Sequence, residues 1–294
     1  MINLLVYILV YPFIWFLSIL PFRILYTISD GVYFLLYYII GYRKKVVYDN
    51  LKLALPEKSE AELLAIRKQF YHHFVDIFIE MIKSFTISEK EVNKRYTYTN
   101  IELLSDLYKD GKSLILLASH YANWEWMVSL SSKINYKSYA AFTKISNSYF
   151  NNKIKKTRAR FGLELKETWK VILEVNNNHE NNIQSIYGLL SDQSPQVQKT
   201  HYWNNFLGVK VPIHTGTEML AKKYDLNVAY IATKKIKRGY YESTFNLITT
   251  EPKKYADYEI TDMYLRQLEA QIYEEPAYYF WTHKRFKHKD KAPK

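Results

Sequence analysis

The sequence predicts an α/β fold: a mostly parallel sheet flanked by helices, preceded by an apolar N-terminal membrane helix and a helical arm. Three observations carry this. The chain has 294 residues, 48% hydrophobic and 24% charged, which is enough for a sizeable core. From residue 101 onward short apolar runs alternate with helical patterns of ten residues or more, as expected for strands covered on both faces. Residues 1 to 22 carry no charge at all.

The uncharged segment, MINLLVYILVYPFIWFLSILPF, would extend about 33 Å as a helix at roughly 1.5 Å per residue. That is close to the bilayer's hydrocarbon thickness of about 30 Å. No basic n-region precedes it and Pro21-Phe22-Arg23 closes it, which argues against a secretory signal. Pro12 is expected to kink the helix, and Tyr7, Tyr11 and Trp15 are aromatics that favour interfaces. Spanning, a tilted interfacial position and a buried helical hairpin are all compatible with this pattern. The second apolar run, Val32 to Ile40, is too short to span and reads as interfacial. Arg43-Lys44-Lys45 follows it, so the positive-inside bias puts the rest of the chain in the cytoplasm.

Net charge is +12. Up to Tyr42 the only charged residues are Arg23 and Asp30, so the whole excess lies beyond, pointing to an anionic partner such as lipid or an acidic protein. No recognisable nucleic-acid module accompanies the basic residues, and nucleic acid is not an expected partner. The absence of cysteine excludes disulfides, thiol nucleophiles and thiolate metal sites. His72 and His73, with Asp76 and Glu80, lie on a helix where adjacent histidines point apart, so no metal and no cofactor is expected.

Residues 46 to 87 read as helical, with a turn at Pro56-Glu57-Lys58-Ser59 and an apolar stripe of Phe70, Phe74, Phe78 and Met81. A helix to Tyr108 stops at Gly111 before a strand at 113–118. A strand at 139–143 follows, then helices at 148–161 and 166–175 and a strand at 183–190. A helix at 215–224, strands at 228–233 and 243–248, and a last helix at 261–273 complete the pattern.

The strand at 113–118 runs into Ser119-His120-Tyr121-Ala122-Asn123-Trp124-Glu125, and ligands in open α/β sheets gather at the carboxyl ends of strands. On one continuous helix, residues five apart lie about 140° from each other. His120 and Glu125 are therefore expected to meet only if the strand ends at His120, Asn123 or its neighbour caps a new helix, and Glu125 folds back. A carboxylate on the imidazole fixes its tautomer and suits it to act as general base on a hydroxyl.

His120 to Glu125 resembles the HxxxxE form of the motif shared by glycerolipid acyltransferases. The surrounding sequence is similar to the bacterial late lipid A acyltransferases that add lauroyl or myristoyl chains. The likeness covers nearly the whole chain. It includes Tyr42 to Val47 with Asn50-Leu51, Leu55-Pro56-Glu57, and Phe70 to Phe74 leading to Glu80. It continues with Asn147 ahead of Arg158, Arg160 and Gly162, then Asp192-Gln193 with Phe206-Leu207-Gly208, and Pro276 to Lys287, PAYYFWTHKRFK. Two departures stand out. Phe142-Thr143-Lys144 replaces the family's Tyr-Arg-Pro, giving a lysine one position displaced, and the FPEGTR-like block of phospholipid-synthesising relatives is missing.

The resemblance implies transfer of a fatty acyl chain from acyl carrier protein, or acyl-CoA, to a hydroxyl of a lipid A precursor at the bacterial inner membrane. His120 would be the base and Glu125 its orienter. Arg158, Arg160, Asp192, Lys144 and Asn147 would bind substrate, while Trp124, Trp126, Met127 and Phe206 would wall the acyl groove. The implied division is a membrane-anchoring segment, 1–42, and an acyltransferase domain, 43–294, with an arm at 43–100 and a core at 101–294. The same chemistry on another amphiphile, a lysophospholipid, amino-acid lipid or pigment, and a catalytically inert lipid-binding protein are the alternatives. The basic tail from His283 to Lys294 suits an anionic leaflet.

Overall fold

The chain opens with helix α1 (Ile2–Ile19) in the computed structural model, which describes residues 2–292. Pro293 and Lys294, the end of the basic tail, lie outside the described residues. Helix α1 continues through Pro12 and is long and apolar enough to cross a membrane. Its residues Tyr7, Tyr11, Ile14 and Ser18, spaced three or four apart, turn toward the protein, while Leu9, Phe13 and Phe16 are exposed. The Lys83 ammonium donates to the Ser18 and Leu20 carbonyls at 2.9 Å each, placing a cation on the helix's negative end.

Helix α2 (Phe22–Phe34) continues into a π-helical turn, Leu35–Ile40, and Gly41 then redirects the chain into α3 (Lys44–Ala54) at 91°. Although α2 belongs to the expected membrane segment, its polar residues are clamped to the protein. The Tyr26 hydroxyl donates to Glu80 at 2.8 Å and the Ser29 hydroxyl to Asp76 at 2.7 Å. The run from Val32 to Ile40 leaves Phe34, Leu35, Ile39 and Ile40 on the surface.

A capping box formed by Ser59 and Glu62 starts α4 (Glu60–Lys83). Of the expected stripe, Phe70 and Phe74 are buried and Phe78 is exposed, and Met81 reaches the cleft described below. Next come α5 (Glu89–Arg95), strand β1 (Tyr96–Tyr98), α6 (Glu102–Lys109) and β2 (Leu114–Ala118), whose five residues are all buried. A short 3₁₀ helix, Trp126–Ser132, precedes β3 (Lys137–Phe142), α7 (Ser148–Ala159), β4 (Leu163–Glu167), α8 (Thr168–Glu180) and β5 (Ser185–Leu190). A hairpin of β6 (Trp203–Phe206) and β7 (Val209–Pro212) leads to α9 (Gly216–Tyr224), β8 (Asn227–Lys237), β9 (Tyr240–Thr249) and α10 (Glu259–Glu274).

Seven strands form one sheet in the order β1-β9-β8-β2-β5-β3-β4, and every pair is parallel except β8 with β9. This is the expected architecture. Strand β2 pairs on both edges, with β5 and β8, and its LILLA run is buried throughout, as in a central strand covered on both faces. Strands β1 and β4 and the β6–β7 hairpin were not expected. In β4 only Leu163 and Leu165 are buried, an alternation too brief to stand out from the helix that follows it.

At the turn between β8 and β9, Gly239 adopts φ +72°, and a Cβ there would lie 1.9 Å from the Tyr26 hydroxyl. Glycine is required on both counts. Next to it, Arg238 bonds Asp76 and Asp30 together, each at 2.6 Å, so one guanidinium ties α2, α4 and the sheet.

Candidate active site

Strand β2 delivers His120 to the carboxyl edge of the sheet, where the chain reverses. Ala122 takes a left-handed φ of 49°. Asn123 then uses both ends of its amide. Its Oδ1 accepts from the Trp126 N–H at 2.9 Å, and its Nδ2 donates to buried Glu80 at 2.7 Å. The C-terminal block holds the same loop from the other side, because Phe280 N–H donates to the His120 carbonyl and Ala122 N–H to the Tyr278 carbonyl. The 3₁₀ helix has its N-cap position at Glu125 with no side-chain cap bond, so the cap expected at Asn123 is replaced by a turn in which Asn123 accepts from the helix's first N–H.

The imidazole's carboxylate partner is Asp192. One oxygen lies 2.8 Å from His120 Nδ1, and the other accepts from the His120 backbone N–H at 3.2 Å. Sheet register accounts for the meeting. Ala118 on β2 pairs with Leu190 on β5, so His120 and Asp192 each lie two residues beyond a matched pair on adjacent parallel strands. Burial opposes charge on both groups, but their mutual attraction and hydrogen bond prevail. His120 is raised above the ordinary imidazole value, with a further contribution from the charge of Glu125, and Asp192 is held below the usual carboxylate range. With Nδ1–H directed at Asp192, Nε2 carries the lone pair, and the Gln193 amide nitrogen lies 3.3 Å from it.

The hydrogen bond expected between His120 and Glu125 is not formed. The reversal at Ala122 and Asn123 turns Glu125 toward α7, where Arg158 Nη2 donates to both of its oxygens at 2.8 and 2.6 Å. A full opposite charge outcompetes an imidazole whose Nδ1 is already engaged.

His120, Glu125 and Arg158 all line a cleft of about 340 Å³ between the sheet, the 3₁₀ helix and α7. The remaining lining is dominated by apolar groups such as Trp124, Met127, Leu130, Leu163 and Leu165. A polar trio within a largely apolar lining suits a substrate with one reactive end and a long apolar tail. The family model of bacterial lipid A biosynthesis acyltransferases matches residues 2–288. The chain belongs to this family. None of the curated proteins compared with it matches.

Within this lipid A acyltransferase family member, the remaining expected site residues separate into two groups. Of the residues read as walls of an acyl groove, Trp124 and Met127 line the cleft, whereas Trp126 and Phe206 do not. Trp126 is fully buried beneath the cleft, with its indole N–H on Ser84 Oγ. Phe206 is fully buried against the Arg285 guanidinium. Both are core residues: Trp126 packs against Phe22 and Tyr241, and Phe206 against Tyr279 and Arg285. Arg160 donates to the carbonyls of Ser84 and Ile87 and does not reach His120. Asn147 caps α7 and donates to the Asn3 carbonyl on α1, a joint between elements. Lys144 is exposed on the loop after β3, between the cleft residues Thr143 and Ile145.

The residues that sequence reasoning missed are supports. The Tyr279 hydroxyl donates to the Asp192 carbonyl, Ser194 N–H to His283 Nε2, and the Ser194 hydroxyl to the Arg285 carbonyl. The C-terminal block thereby braces the loop carrying Asp192. Its dense pattern of aromatic and basic residues was the available signal.

Proposed function

We propose that the protein transfers a fatty acyl chain from a thioester donor, acyl carrier protein or acyl-CoA, to a hydroxyl of a lipid A precursor, with His120 as general base and Asp192 as its orienter. The observation that carries this reading is the Asp192-bound imidazole in the wall of a largely apolar cleft. The acceptor hydroxyl gives its proton to His120 Nε2 as its oxygen attacks the thioester carbonyl. The tetrahedral intermediate then expels the thiolate, which takes that proton from the imidazolium and leaves as the thiol. Asp192 favours the imidazolium electrostatically, and such base catalysis supplies about 10²- to 10⁴-fold.

Arg158, held at the cleft by Glu125, is the cation suited to the developing oxyanion or to a substrate phosphate. Glu125 thus serves the reaction through Arg158 and through its field on His120. The basic run Arg43-Lys44-Lys45 supports a cytoplasm-facing catalytic part anchored at the inner membrane.

The test is mass spectrometry of lipid A and total lipids from cells lacking the gene, complemented by the native chain or by His120→Ala. Loss of one acyl chain from lipid A, restored only by the native chain, is the expected result. An unchanged lipid A with another lipid under-acylated would move the acceptor to a different amphiphile. Full complementation by His120→Ala would refute the base.

A further inference from the structure

Behind the Glu125 and Arg158 pair lies a second cavity of about 200 Å³ that the mechanism does not use. It shares Met81, Glu125, Val128, Ile154 and Arg158 with the main cleft and lacks His120. Its outer wall is Ile14 of α1, and Phe85, Phe150 and Phe161 close the rest. The polar groups in its lining are already satisfied internally. The Ser84 hydroxyl donates to the Glu80 carbonyl and accepts the Trp126 indole N–H. The Thr157 hydroxyl donates to the Lys153 carbonyl, and Glu125 and Arg158 hold each other. Such a chamber offers a ligand hydrocarbon contact and little else.

We propose that this chamber holds an alkyl chain already resident on the acceptor lipid, while the main cleft holds the chain being transferred. The transferred chain ends in the reacting carbonyl and must begin beside His120, which the main cleft contains and the chamber does not. The acceptor comes from the membrane, and the chamber's outer wall is α1, among the described residues the one helix long and apolar enough to span a bilayer by itself, so an alkyl chain arriving along α1 meets it directly. The ion pair between the two spaces keeps the two chains apart and leaves the acceptor headgroup near Arg158. Assigning the chain to the acceptor rests on the acyl-transfer reading above.

The chain has no cysteine, so Thr157→Cys creates a single thiol in the chamber wall. The full-length protein in detergent, labelled there with bimane, is titrated with a lipid A precursor bearing a nitroxide on a resident acyl chain. It is separately titrated with an acyl carrier thioester bearing the nitroxide on its acyl chain. At least twofold quenching by the lipid, little by the thioester, and loss of the lipid effect with Ile14→Trp are expected. Quenching by the thioester alone, or by neither probe, overturns the proposal. Ile14→Ala enlarges the chamber without overpacking it, and should shift acceptor preference at least threefold toward longer resident chains while the length of the transferred chain stays the same. A shift in the transferred chain's length instead overturns the assignment. Quenching does not require turnover, so quenching by the lipid alongside an inactive native chain contradicts the transferase reading and leaves standing only that the chamber binds a lipid alkyl chain, with no acceptor role.

Discussion

Asp192 grips His120 at two points, the ring Nδ1 at 2.8 Å and the backbone N–H at 3.2 Å, so one carboxylate sets both the tautomer of the imidazole and the path of the chain beneath it. A residue placed this way controls reactivity through orientation as well as charge.

Asp192→Asn should therefore lower kcat by about 10²-fold or more, with a much smaller change in KM. The pH profile supplies a second readout. His120 accepts a proton only when neutral and its pKa is raised above 6.5, so kcat/KM should fall as pH drops through a value above the ordinary imidazole range. In Asp192→Asn the acid limb should move to lower pH. An unmoved limb would show that Asp192 does not set the base.

The Glu125 and Arg158 pair is largely buried, with side chains 10% and 23% exposed. Removing one partner leaves a charge in a mostly apolar cleft. Arg158→Ala should destabilise the protein by about 2 kcal/mol, and adding Glu125→Gln to that variant should recover part of the loss. Urea denaturation of both single variants and the double variant measures the coupling. Additive losses would count against the pair as a structural unit.

Glu80, buried beneath the catalytic loop, is pushed up to about 7, first by desolvation and then by Asp76, against the opposing effects of Lys235 and its tyrosine donors. An acid whose folded pKa exceeds its unfolded value of 4.5 binds more proton in the folded state. Its contribution to stability is full below about 4.5 and is lost as pH rises toward 7. The native protein should lose roughly 3 kcal/mol from this group across that window. Subtracting the unfolding free energies of Glu80→Gln at each pH should isolate a slope of that sign. A difference that does not vary with pH would refute the assignment.

Met127 lines the cleft from the 3₁₀ helix. Met127→Trp should shorten the usable slot, so that lipids acylated by the variant carry chains two or more carbons shorter, at about tenfold lower rate, as read by mass spectrometry. Trp126→Phe, by contrast, removes a buried indole N–H bond to Ser84 and should appear as a stability loss of about 1 kcal/mol with no change in chain length.

Much of the architecture was legible in the sequence because its signals are local. The LILLA run, the turn at Pro56 to Ser59, the length of α1 and the alternation of helix with strand after residue 101 each depend on neighbours in the chain. Elements were missed where the local pattern was too brief, as in β1, β4 and the β6–β7 hairpin. The disposition of α1 was also out of reach. Its inward stripe of Tyr7, Tyr11, Ile14 and Ser18 is apolar or aromatic like its outward face, so only the packing distinguishes the two.

The site divides along the same line. Read along the chain, His120 follows a buried strand, carboxylates and cations occur in ordered blocks around it, and an uncharged segment precedes them. Which carboxylate meets the imidazole depends on the folded sheet. Glu125 is five residues from His120 and turns away to Arg158, while Asp192 is 72 residues distant and bonds the ring. Contact between neighbouring parallel strands depends on register across the sheet, and spacing along the chain carries no record of which strands lie side by side.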